Sequence, residues 1–302
     1  MPLLRWRIVI SVAIGIASGA FCFFLMKRTQ MGAGDFVWAI HLAQYRLAGQ
    51  NPYDEPMQLY PFTAAIFGLP FVRLSPEVAA GGFYGISSAL LAFGLTRDGY
   101  HRLLVFLAYP YWIGMLYVQW SPLIAASAFF PLLLPATMAK PQVGIPIFLS
   151  RLSLRGLIAC LCVAVATLMV MPRWPMLWLR EFGNYPHFFA ILVIPGPILL
   201  LALLRYRDRD AHLLLLNACM PQRWFFDTFT LWLIPRSRRE IVAAVFFSWW
   251  CGVWRWYHIP HSATEVGRWI VLFIYLPMLV ILLLRNRQPK KVSQSQAQLS
   301  AK

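Results

Sequence analysis

From Ile8 to Met26 the chain is apolar without a single charged residue, and the same kind of run returns at Val78 to Leu95, Leu103 to Val118, Leu157 to Val170 and Phe188 to Leu204. Val242 to Trp256 and Val266 to Leu284 complete the set, each interrupted by one arginine. A helix rises about 1.5 Å per residue, so a run of roughly 20 apolar residues matches the hydrocarbon core of a bilayer. The pattern predicts an all-α, polytopic transmembrane helix bundle of about eight to ten spans.

Two stretches depart from plain spans. Leu123 to Leu149 carries Pro131, Pro135, Pro141 and Pro146 together with Lys140, so broken or re-entrant helices are expected there. Leu213 to Ile234 must go out and back around Pro221-Gln222, and each arm is too short to cross, so that hairpin reads as re-entrant. A different periodicity follows the first span. Phe36, Ile40, Ala43 and Leu47 form one helical stripe, and Gly49 is a natural stop, which predicts an amphipathic helix lying on the outer surface. Residues 1–285 are thus expected to form one transmembrane domain, with 27–76 an outer loop carrying an interfacial helix and 286–302 a polar cytoplasmic tail.

Composition excludes a soluble single-core protein: 60% of residues are hydrophobic and 13% charged, with mean hydropathy +0.61. The net charge of +16 would point to nucleic acid in a soluble domain, but no soluble module exists to carry such a surface, and none is expected as a partner. Its distribution points to topology instead. Cations gather at Arg5 and Arg7; Arg97 and Arg102; Arg151 and Arg155; Arg205, Arg207 and Arg209; Arg236, Arg238 and Arg239; and Arg285, Arg287, Lys290 and Lys291. Positive residues mark cytoplasmic loops, so these clusters predict both termini inside, with Asp35, Gln119, Arg173 and His258 outside.

The first run resembles a signal peptide, but its small residues Ala17 to Ala20 lie within the apolar stretch, and an uncleaved span fits better. The five cysteines lie in or beside apolar runs and suggest neither disulfides nor a metal site. His258 and His261 flank Pro260 without further recognisable ligands, and interfacial hydrogen bonding is the expected role. No phosphate loop, dinucleotide fingerprint, zinc-protease pattern or nucleophile elbow is present.

Asp35 is the acidic residue just beyond the first span. One reading makes it the N-cap of the amphipathic helix; the other makes it a general base whose carboxylate is held at the membrane surface. Asp227 lies inside the short apolar hairpin, where an ionisable group is costly and commonly marks a site. Its local alternative is an ion pair with Arg223, one helical turn earlier. Lys140, Arg173, Arg180 and Arg223 are the cations expected in the outer half, where snorkelling to the interface is the ordinary role of any one of them.

Asp35 is followed by Gly49-Gln50-Asn51-Pro52-Tyr53, then Tyr60-Pro61, then Gln119-Trp120-Ser121-Pro122, then Lys140-Pro141. That order resembles the polyprenol-phosphate-sugar-dependent glycosyltransferases of the integral-membrane GT-C superfamily, most closely the bacterial mannosyltransferase-like branch. The resemblance covers Gly34 to Pro141 in motif order and the whole chain in hydropathy. It implies a multi-pass enzyme of the bacterial plasma membrane that moves a sugar, with inversion, from a polyprenyl-phosphate donor to a hydroxyl of a glycan or glycolipid acceptor at the outer face. It makes Asp35 the catalytic base and Asn51, Tyr53, Tyr60, Gln119, Lys140, Arg223 and Asp227 the substrate-binding residues. Asp35 is not part of an Asp-x-Asp pair, so no metal or other cofactor is expected. An Asp at 227 departs from the family, whose members often place a His in such an aromatic setting. The competing reading is a non-enzymatic membrane protein: a lipid or small-molecule transporter, or an inactive relative.

Overall fold

The computed structural model describes residues 2–54, 58–182 and 187–285; the expected tail, 286–302, lies outside them. These residues are mainly helical, joined by turns and loops, with a two-residue antiparallel pairing of β1 (Phe188–Phe189) with β2 (Pro221–Gln222), in the register Phe188 to Gln222 and Phe189 to Pro221.

The first half contains α1 (Pro2–Thr29), α2 (Val37–Leu47), α3 (Ala65–Gly68), α4 (Pro76–Leu95), α5 (Tyr109–Leu116), α6 (Ser121–Ser127) and α7 (Pro141–Ser150). The second contains α8 (Leu154–Val170), α9 (Trp174–Phe182), α10 (Arg209–Cys219), α11 (Arg238–Tyr257), α12 (Ala263–Ile270) and α13 (Leu276–Leu284). Among the described residues three helical stretches are long and apolar enough to cross a membrane: Leu4–Thr29, Pro76–Leu95 and Ala263–Leu284, the last continuous through a π-turn at Val271–Tyr275. A fourth arises if α8 and α9, bent by 96°, count as one span. α8 turns Leu161 and Met169 outward, 62% and 79% exposed, as a helix surrounded by hydrocarbon does.

Val242 to Trp256 lies within one continuous helix, α11, whereas the remaining expected spans are divided into shorter pieces, and proline sets the divisions. Pro110, Pro122 and Pro141 each stand in the first turn of a new helix, where a missing N–H breaks no helical hydrogen bond. Leu103 to Val118 is consequently a 3-10 segment (Tyr100–Leu107) followed by α5, and Leu123 to Leu149 is broken at the 3-10 segment Pro131–Met138. Phe188 to Leu204 begins as β1, turns through the cis peptide Ile194-Pro195 and continues as a 3-10 segment, Gly196–Arg205. The hairpin around Pro221-Gln222 consists of α10 and a 3-10 segment, Phe225–Leu233, neither long enough to cross.

α1 and α4 make the most extensive helix pair, and glycine is the reason. A Cβ on Gly19 would lie 2.7 Å from the carbonyl oxygen of Gly81, and one on Gly85 would lie 2.9 Å from that of Gly15. Each helix thus presents two glycines four residues apart, a stripe that lets the backbones approach closely enough for van der Waals contact to hold them.

At one end of the molecule described members of the cationic clusters come together. Arg7 reaches Thr96 and Phe93, next to Arg97 and Arg102; Arg102 reaches Leu233; and His101 pairs with the Arg236 carbonyl. Asp210, fully buried at the start of α10, receives Arg151 at 3.4 Å, Arg236 at 2.7 Å and Arg285 at 2.8 Å. Arg205 donates to the Arg285 carbonyl. α1 leads from this end, at Arg7, to the opposite one, where the chain passes into Asp35.

Candidate active site

Beyond α1 the chain reverses through Gly32 and Gly34, both in left-handed conformation (φ +62° and +52°). Gly34 is pressed against the neighbouring turn: a Cβ there would lie 2.6 Å from the Tyr117 carbonyl oxygen, to which the Asp35 amide donates at 2.9 Å. Any larger residue would separate the two turns, so Gly34 sets the approach of Asp35 to Gln119. On the other side Val118 adopts φ +48°, reversing the chain between α5 and α6 and presenting Gln119.

The Asp35 carboxylate is not used as a helix cap. It lies in a 3-10 turn, Gly34–Phe36, and the N-cap of α2 is Phe36, with no side-chain cap bond. Asp35 Oδ2 instead accepts hydrogen bonds from Gln119 Nε2 at 2.5 Å and from the Tyr60 hydroxyl at 3.3 Å. Phe36, Ile40 and Ala43 of the predicted stripe are buried, whereas Leu47 is 67% exposed, and the helix ends at Gly49 with φ +75°.

Gln119 is fully buried, and its orientation is dictated by its other neighbour. Lys140 Nζ donates to Gln119 Oε1 at 2.6 Å. An ammonium cannot accept, so the amide oxygen must face Lys140 and the amide NH2 must face Asp35. Lys140 Nζ also lies 2.8 Å from Asp227 Oδ1, and over the Phe226 ring at 4.8 Å from its centroid. Asp227 Oδ2 accepts from the backbone N–H of Arg223 at 2.9 Å. Four side chains from separate parts of the chain thus run in one line: Asp35, Gln119, Lys140, Asp227.

Lys140 is placed where a cation is least comfortable. Pro141 keeps it out of helical conformation, and it becomes the N-cap of α7, at the positive end of the helix dipole and 2% exposed. Asp227, fully buried in the 3-10 segment Phe225–Leu233, supplies the compensating charge. The i and i+4 spacing to Arg223 suggested a local ion pair for Asp227. The fold instead gives its carboxylate the Lys140 ammonium and the Arg223 backbone.

A narrow cleft of about 30 Å³ is lined by Asp35, Trp38, Leu59, Tyr60, Pro61, Ala139, Lys140, Gln142 and Arg223. Beneath it Trp120 packs against Phe36, Tyr60, Phe67 and Phe83, at ring distances of 5.7, 6.0, 5.7 and 5.0 Å. Of the residues expected to bind substrate, Tyr60, Lys140 and Arg223 line the cleft directly, while Gln119 and Asp227 stand behind it. Asn51 and Tyr53 serve the loop. The Asn51 side chain bonds Asp54 at 2.6 Å and the Tyr53 amide at 3.2 Å. The Tyr53 hydroxyl donates to the Tyr60 carbonyl at 3.0 Å, and burial pushes its phenol above its ordinary value, which keeps it a donor. These bonds hold Tyr60 in reach of Asp35.

Trp38 and Gln142 are additions that the sequence reading did not name. Trp38 lies in the first turn of α2 and Gln142 in that of α7, so each follows a recognised charged residue by two or three positions. Arg173 and Arg180 do not belong to the cleft lining. His258 stacks on Trp254 and bonds its carbonyl. No protein-family model, curated protein or solved structure matches the chain.

Proposed function

We propose that this protein is a membrane glycosyltransferase that moves a sugar from a polyprenyl-phosphate donor to an acceptor hydroxyl. One observation carries the reading: a half-buried carboxylate, Asp35, and two cations, Lys140 and Arg223, line the same cleft. Inverting transfer needs both kinds of group. The acceptor oxygen forms a bond to the anomeric carbon, its proton passes to Asp35, and the bond from that carbon to the phosphate oxygen breaks. The electron pair leaves with the lipid phosphate, whose added charge is met by Lys140 and Arg223. Trp38 and Tyr60, both in the cleft lining, supply aromatic walls against which a sugar ring can rest.

The hydrogen bonds from Tyr60 and Gln119 hold the Asp35 carboxylate by one oxygen, Oδ2, and leave Oδ1 to take the proton. The membrane setting is supported by the apolar helices and by the gathering of cationic clusters at the end remote from Asp35. The positive-inside tendency makes that end cytoplasmic and turns the cleft to the outer face of a bacterial plasma membrane. The acceptor is a glycan or glycolipid hydroxyl reaching the cleft from outside. The test is direct: purified protein incubated with a panel of polyprenyl-phosphate sugars and candidate acceptors should release polyprenyl phosphate. No release from any donor, by protein shown to be folded, overturns the reading.

A further inference from the structure

Arg173 and Arg180 stand apart from the cleft, and the helix beside them, α9, has two apolar sides. Trp174, Leu177 and Trp178 turn inward and pack against the core. Trp178 Nε1 donates to the Leu59 carbonyl at 2.9 Å, and α9 lies against the 3-10 turns Pro52–Asp54 and Phe62–Ala64 of the outer loop. On the other side Met176 and Leu179 are 67% and 57% exposed. Arg173, Met176 and Arg180 follow the spacing i, i+3, i+7, so the two guanidiniums, both exposed, share that side of the helix.

A helix that is apolar on opposite sides is stable where both are covered. The protein covers one, and the course of the chain says what covers the other. α8 turns Leu161 and Met169 to hydrocarbon, and α9 leaves its Val170 end bent by 96°. A helix at right angles to a membrane-facing one lies along the membrane plane. The corner is fixed to α2, since Arg46 Nη2 donates to the Val170 carbonyl at 2.9 Å. Met and Leu bordered by guanidiniums match the boundary between acyl chains and phosphates. We propose that α9 is seated on the phospholipid leaflet at the cleft end of the molecule, with Met176 and Leu179 among the upper acyl chains and Arg173 and Arg180 at the phosphates, and that through Trp178 this seat holds one wall of the cleft. Leu59 and Tyr60 both line the cleft, and the Tyr60 hydroxyl donates to Asp35, so the lipid surface and the cleft lie on two sides of one short helix. Such a seat requires only the membrane setting and stands whether or not the cleft transfers a sugar.

The experiment uses the full chain in nanodiscs of phosphatidylcholine brominated near the top of its acyl chains. Acridonylalanine, a fluorescent amino acid, replaces Met176, Leu179 or, as the hydrocarbon-facing reference, Met169. Bromine should quench the first two positions to about the extent of the reference. Hydrogen exchange of the segment Leu59 to Thr63, followed by mass spectrometry in nanodiscs, reads the coupling. Trp178→Phe keeps a ring and removes the donor; Met176→Gln combined with Leu179→Gln makes the lipid side polar and leaves the inward side intact. Each should speed that exchange about fivefold, the effect of losing one hydrogen bond. The double variant alters exposed positions only and covers the case in which Trp178→Phe fails to fold. Unquenched fluorescence at 176 and 179 would overturn the seat, and is the result expected if a second protein chain covers that side. Quenching with unchanged exchange in the folded variants would overturn the coupling. Neither readout uses a sugar donor, so failure here is distinct from failure of the transferase reading, which lipid-phosphate release decides.

Discussion

The ammonium of Lys140 lies 2.8 Å from the carboxylate of Asp227, and both side chains are almost wholly withdrawn from solvent. Neither charge has water to fall back on, so each depends on the other. Asp227→Asn should therefore destabilise the protein by about 3 to 5 kcal/mol, the usual result of stranding one member of a buried pair. Combining it with Lys140→Met removes both charges and should recover much of that loss, while transfer stays abolished. Thermal unfolding in detergent checks the first half, and lipid-phosphate release the second. Equal stability of the single and double variants would show that the pair is not coupled.

Asp35→Asn preserves size and a hydrogen-bond acceptor toward Gln119, so folded yield and thermal stability should stay close to the parent's. Transfer should fall by about two orders of magnitude or more, the ordinary worth of a general base. Turnover within a factor of two of the parent would remove Asp35 from the chemistry.

At the opposite end, Asp210 is fully buried among Arg151, Arg236 and Arg285 and ties together α7, α10, the segment before α11 and the end of α13. Asp210→Ala leaves three guanidiniums facing one another and should cost about 3 kcal/mol or more. Arg236→Gln, at a side chain 60% exposed, should cost under about 1 kcal/mol. Comparing the two melting temperatures tests whether the cluster depends on its buried carboxylate.

Gly19→Val should prevent α1 from seating on α4, since even a bare Cβ would stand 2.7 Å from the Gly81 carbonyl oxygen. Loss of monodisperse protein is expected. Gly49→Ala, where no atom lies within 4 Å, should leave assembly intact and cost only about 1 kcal/mol of backbone strain at φ +75°. Size-exclusion profiles of the two variants in detergent separate close packing from conformational preference.

Much of the fold class is local information, which is why it could be read early. Run length between charges locates α1, α4, α8, α11 and the α12 to α13 helix, because an apolar stretch of that length has few other places to go. The stripe ending at Gly49 located α2, because the helical period and the left-handed stop are properties of neighbouring residues. Prolines showed where helices break, but not where the broken pieces lie, since the direction taken after a break is set by packing. So Leu103 to Val118 read as one rising span and folds as two short segments. The polar residues divide in the same way. Asp35, Tyr60, Gln119 and Lys140 stood out by type and order, yet only the tertiary structure put them in one line and made Asn51 and Tyr53 supports of the loop. Asp227 is the clearest case. Local spacing offered it the Arg223 side chain, but a buried charge takes the partner that restores most of its lost hydration energy, and that partner, Lys140, is a neighbour in space alone.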